Sequence, residues 1–237
     1  YRRRRGPWRW GRGRGAAAHC RQKNTAAITS PVATMPQRSA GADSAAALQR
    51  DEVAALVERH KATQARISQR TSAQLVRIWD GLDGYDEADL STFLRLAGPH
   101  TFAAKRTAIT VAVGFYAAIL QLRPPAIPIG AIDVEYNARS PFTAVWHALS
   151  EGRPYDEAVS AGRSITEAQT DRFVASAARR TGDHVTTATR TRVAWERVPR
   201  AAACRFCRDA AGQRYKTSET ADFGHDRCGC TAVPVAL

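Results

Sequence analysis

Between residues 44 and 80, Leu48, Val53, Leu56, Val57, Ile67, Leu75, Ile78 and Trp79 recur at spacings of three and four, with His60 and Gln64 in the same stripe. That period is the signature of a helix with one buried face. Arg50, Glu52, Glu58, Arg59, Lys61, Arg66 and Arg70 fill the opposite, wet side. Ser44 is suited to cap the start, and Gly81 and Gly84 mark the stop. His60 falls among apolar neighbours, so it reads as a packing residue and not as a ligand.

Two further helices are predicted at about 86–97, through Leu90, Phe93, Leu94 and Leu96, and at about 100–121, through Phe102, Ile109, Val113, Phe115, Tyr116, Ile119 and Leu120. Gly98-Pro99 separates them. The three pieces read as an antiparallel bundle with short connections. The stretch 107–122 is apolar but shorter than the roughly 20 residues of a membrane span, and Lys105, Arg106 and Arg123 crowd it. A core helix is the expectation, with no membrane partner.

Pro124, Pro125 and Pro128 break the pattern and give the best internal boundary. Short helices are expected at 142–150 and 155–162. A longer one is expected at 164–180, opened by Ser164 with Glu167 at the capping-box position. The paired acids Asp86 and Glu87, and Asp156 and Glu157, stand at helix starts, where carboxylates favour the helix dipole. Residues 192–198 alternate Val193, Trp195 and Arg197 against Ala194, Glu196 and Val198, which reads as a strand. Short strands and turns follow around Gly212, Gly224 and Gly229. The predicted fold class is therefore mainly α: a helical bundle followed by a small C-terminal β module. The divisions are 1–43 as a basic leader, 44–123 as the bundle, 124–191 as a second helical segment and 192–237 as the β module.

The formal charge of +13 suggests a polyanionic partner until its distribution is read. Residues 1–34 hold eight arginines and Lys23 with no acid, nine charges, so thirteen minus nine leaves +4 for the rest. The single methionine is Met35. One reading starts the protein there and leaves 1–34 outside the fold. The other makes 1–34 an Arg/Gly arm, with Trp8 and Trp10 interleaved, that binds nucleic acid by charge and stacking.

Four of five cysteines cluster near the end of the chain: Cys204-x2-Cys207, then His225-x2-Cys228-x-Cys230, with 17 residues between the two groups. Cys-x2-Cys lets one tight turn offer two thiolates to one ion, and the second group repeats that short spacing. Zinc takes four such ligands, so Cys228 and Cys230 compete for one place. A filled site implies a structural ion. Few large apolar side chains lie in 200–237, chiefly Phe206, Tyr215, Phe223 and Leu237, and a bound metal would supply the missing folding free energy. Reduced thiols packed on the helices, or a Cys204–Cys207 disulfide, are the alternatives.

The same residues carry a resemblance. Cys204-Arg-Phe-Cys207, Gly212-Gln-Arg-Tyr215, His225-Asp-Arg-Cys228-Gly-Cys230-Thr231 and Val233-Pro234-Val235, with the 193–198 strand before them, resemble the end of Mu F-like phage minor head proteins of the actinobacteriophage type. The match is specific over about 192–235; the helical part agrees only in length, composition and order. The resemblance implies a minor capsid or head-morphogenesis protein acting near the portal. Portal and major capsid proteins would be its partners, with a place in the virion, and in the host cytoplasm before assembly.

Such proteins are sometimes labelled capsid maturation proteases. The sequence offers no Gly-x-Ser-x-Gly elbow, no His-Glu-x-x-His helix and no P-loop. His60, His100, His147 and His184 have no evident nucleophile beside them in sequence, although a Ser–His pair assembled in space escapes such a search. A thiol at Cys228 or Cys230 activated by His225 is a further catalytic alternative. The expectation is a structural protein without a small-molecule substrate; a zinc-ribbon nucleic-acid binder and a capsid protease are the alternatives.

Overall fold

The computed structural model describes residues 40–199, 205–221 and 231–237. Helix α1 runs Ala40–Trp79 and α2 Glu87–Ile119. After a short 3-10 turn at Ile129–Ala131 come α3, Arg139–Ser150, and α4, Tyr155–Ala188. Strand β1, Val193–Val198, is followed by the short helix α5, Arg205–Asp209, and by β2, Arg214–Tyr215. Helix α6, Ser218–Ala221, and strand β3, Thr231–Ala236, complete it.

Three apolar clusters show how the long helices run. The first joins Leu75 and Trp79 at the end of α1 to Leu90 and Phe93 at the start of α2, with Phe142 and Val145 of α3 and Ala158 of α4. The middle cluster holds Ala104 and Ala108 of α2 with Phe173, Val174 and Ala177 of α4. The last joins Val57 of α1 to Phe115 and Tyr116 at the end of α2 and to Ala178 and Val185 of α4. So α2 is antiparallel to α1, and α4 returns alongside both. Helix α3 covers the first end and the sheet covers the last.

Among the described side chains of α1 the buried ones are Val57, His60, Ser68, Thr71, Leu75, Val76 and Trp79, largely at the spacing that the sequence predicts. The helix starts at Ala40, so Ser44 lies inside it instead of capping it. Asp86 caps α2: its carboxylate accepts from the backbone N–H of Ala88 and Asp89 at 2.8 and 3.0 Å.

Two predicted breaks are absent. Helix α2 passes through Pro99, and the expected pair of helices is one. The turns on either side are held by packing, Phe93 and Ala97 in the first cluster and Ala104 and Ala108 in the middle one. The Thr101 hydroxyl shares its proton with the carbonyls of Ala97 and Gly98 at 3.2 and 3.0 Å, a local contact beside the proline. Helix α4 likewise joins the two predicted segments around Gly162, and Ser164 is internal, donating back to the Ser160 carbonyl at 3.1 Å. Gly162 is a point of close approach to Trp79 and Val145, not a stop.

By length and composition α2 could cross a membrane. Within it Ala108, Ala112, Phe115 and Tyr116 are buried in apolar clusters shared with other helices.

Strand β1 is the middle of a three-stranded antiparallel sheet, ordered β2-β1-β3. Trp195 pairs with Tyr215 on one side and Pro234 on the other. Pro234 is tolerated because β3 is an edge strand. Among the described residues, the sheet's buried apolar side chains join the helical core. Trp195, Ala221, Ala232 and Val233 belong to the same cluster as Val57, Phe115 and Tyr116, and the Trp195 and Tyr116 rings meet edge-on with centroids 6.0 Å apart. Helical surface therefore supplies the apolar floor that 200–237 lacks, a contribution that residue counts in the tail do not reveal.

Candidate functional site

Among the described residues of the region that the sequence singles out, Arg197 makes contacts with both α5 and α6. In β1 this residue is on the inward face with Trp195, and it is 2% exposed. Its Nε donates to the Ala221 carbonyl at the end of α6 at 2.8 Å, and its Nη1 lies 3.5 Å from the Cys207 sulfur on α5. Its backbone partner across the sheet is Ala232, and the next pair is Val198 with Thr231.

Residue 221 is the last described before the segment 222–230, and Thr231 is the first after it. Both ends of the stretch bearing His225, Cys228 and Cys230 are thus fixed at or beside Arg197, and Cys207 is fixed there too. A second anchor ties the tail to the helical body: Ser218 Oγ donates to Asp183 Oδ2 of α4 at 2.7 Å.

Of the five predicted ligands, Cys207 is described, fully buried on α5. Cys204, His225, Cys228 and Cys230 lie outside the described residues, as does the whole basic leader. Among the described residues, no three His, Cys, Asp or Glu side chains gather into a metal-holding group. Arg197 was legible only as a strand residue, although it is the one charged member of the inward set Val193, Trp195 and Arg197.

The histidines are separated. His60 is stacked on Phe115, centroids 4.1 Å apart with the rings 10° from parallel, and burial lowers its pKa to about 4. It is the packing residue that its position in the stripe predicts. His147 on α3 is exposed and faces Glu151, Nδ1 to Oε1 3.5 Å, in a groove that Ser140, Thr143 and Arg153 also line. The hydroxyl of Ser140 accepts from Gln169 Nε2 at 3.3 Å. His100 and His184 sit within α2 and α4.

The comparisons lead to the class of phage-encoded proteins. The VG15 protein model matches residues 51–236, from the first turns of α1 to the last strand, and the chain belongs to that family. No curated protein and no solved structure matches it.

Proposed function

We propose that the chain is a structural minor capsid, or head-morphogenesis, protein of the Mu F-like kind, acting near the portal and contacting portal and major capsid proteins. The observation that carries this reading is the span of the family match, which takes in the helical body and the signature-bearing tail together. The packing agrees, since the sheet rests on the core of α1, α2 and α4. On this reading the helices present the protein-binding surfaces and the tail stabilises one end of the body. Contact with packaged DNA is assigned to the nine charges of residues 1–34.

The tail is proposed to hold a structural zinc ion through Cys204, Cys207, His225 and one of Cys228 and Cys230. Cys207 suits the role, because it is buried with its sulfur 3.5 Å from a guanidinium N–H donor. When bound, the ion cross-links two segments of the tail and adds to its folding free energy.

The test is incorporation. Particles purified from cells making the portal, the major capsid protein and this chain should contain the chain, and omitting it should lower the yield of packaging-competent heads. Normal heads without the chain, and its absence from particles, would defeat the reading. Cleavage of the major capsid protein by the purified chain would favour the protease alternative instead.

A further inference from the structure

We propose that a groove beside α2 is the docking site for an acidic amphipathic helix of a partner protein. The partner's apolar side chains enter the groove and its carboxylates meet a rim of cations. Leu94, Gly98 and Phe102 of α2 form one wall, Val134 and Tyr136 of the segment leading into α3 form the other, and the buried Phe173 of α4 lines it too. Its volume is about 290 Å³. Leu94 and Phe102 stand 52% and 58% exposed. The Tyr136 and Phe173 rings meet edge-on with centroids 5.8 Å apart, a contact that holds both in place without an occupant. Gly98 keeps the cleft open, since a methyl group on it would meet nothing within 4 Å. Large apolar side chains left in water around a concavity gain by being covered.

Charge selects the occupant. Between Leu90 and Ile119, α2 carries Arg95, Lys105 and Arg106 and no acid. Arg95, Phe102 and Arg106 follow one another at helical spacings of seven and four, and Lys105 lines the groove itself. Among the described residues none of these three cations is in an ion pair. Glu135 is the one acid lining the groove. A carboxylate-rich segment brings the complementary sign. The nine positive charges of residues 1–34 would be set against like charge. A second copy joined by a two-fold axis would oppose the rim to itself. From Leu94 to Lys105 the wall runs about 17 Å, three turns of an occupant helix, which suits anchors at i, i+4 and i+7.

The experiment uses the full chain and two fluorescein-labelled peptides of about 18 residues, long enough to be helical. Both have leucine at the a and d positions of a heptad, with alanine and glutamate elsewhere in one and alanine and lysine elsewhere in the other. Fluorescence anisotropy should show the glutamate peptide binding, and the lysine peptide binding about tenfold more weakly or less. Phe102→Ala should weaken the glutamate peptide about tenfold or more. Leu96→Ala, on an exposed leucine of α2 outside the groove, should leave it unchanged. The combined variant Arg95→Glu, Lys105→Glu and Arg106→Glu should reverse the preference between the peptides. Should that variant not fold, Phe102→Ala against Leu96→Ala carries the comparison.

Peptides that fail to bind or bind alike would overturn the docking site, as would glutamate-peptide binding indifferent to Phe102. A dimer of the chain alone that Phe102→Ala abolishes in sedimentation would assign the groove to a second copy instead. Flotation with phosphatidylglycerol vesicles that Phe102→Ala abolishes would assign it to a lipid surface instead. Incorporation into heads is a separate result, so the head-assembly reading and this one fail independently.

Discussion

Gly162 of α4 lies so close to Trp79 of α1 that a methyl group on its Cα would stand 2.5 Å from the indole Cζ2 and 2.7 Å from Val145 Cγ2. Trp79 is fully buried and also contacts Tyr85, Phe93 and Phe142 edge-on or tilted, so the indole has little room to move. Gly162→Ala should therefore destabilise the protein by about 1–3 kcal/mol through overpacking. Gly114 on α2 gives the opposite case, since its added methyl meets nothing within 4 Å. Gly114→Ala should stabilise by up to about 1 kcal/mol by helix propensity. Urea unfolding of the two variants distinguishes them, and equal effects would contradict the packing.

Pro99 removes one backbone donor from α2 while staying exposed. Restoring that donor with Pro99→Ala should raise stability by about 1–3 kcal/mol, as the helix is already continuous. Thermal unfolding measures it. A lowered midpoint would mean that the proline bends α2 in a way the core requires.

His60 makes stability depend on pH. Its folded pKa is lowered from 6.5 to about 4 by burial, so between those values the unfolded chain binds a proton that the folded chain does not. Stability is then fully present above about pH 6.5, falls as the pH drops, and has lost about 3 kcal/mol from this group once the pH passes below 4. Chemical unfolding across pH 4–7 should show that slope, and His60→Leu should flatten it. An unchanged slope would assign the acid sensitivity to other groups.

Asp86 accepts two backbone donors at the first turn of α2, while Asp89 accepts from the N–H groups of Gly84 and Tyr85 at 2.7 Å each. Asp86→Ala should cost about 1 kcal/mol, as loss of an N-cap usually does. Asp86→Ser should recover most of it in the same unfolding assay.

The period of apolar residues made α1 legible almost to its end, and the alternation at 193–198 marked β1 with its boundary within one residue. Two long helices were read as four because glycine and proline were weighed by their local propensities. Pro99 is outvoted by burial of the turns around it, and Gly162 is selected by a neighbour 83 positions away in the chain. Neither neighbour is visible in a local window. The candidate site divides in the same way. Spacing singled out Cys207 as a candidate ligand, whereas the neighbours of Arg197, namely Ala221, Ala232 and Cys207, are brought to it only by the folded sheet.

The sheet's strand order bears on how the chain matures. Because β1 is central and both its neighbours follow it in sequence, a ribosome delivers the middle strand first and leaves its two edges open. Until Thr231–Ala236 emerges, Trp195 and the cluster around Tyr116 lack the Val233 and Ala232 that cover them. During that interval the nascent protein carries an adhesive, half-built sheet that a chaperone or a neighbouring copy would find.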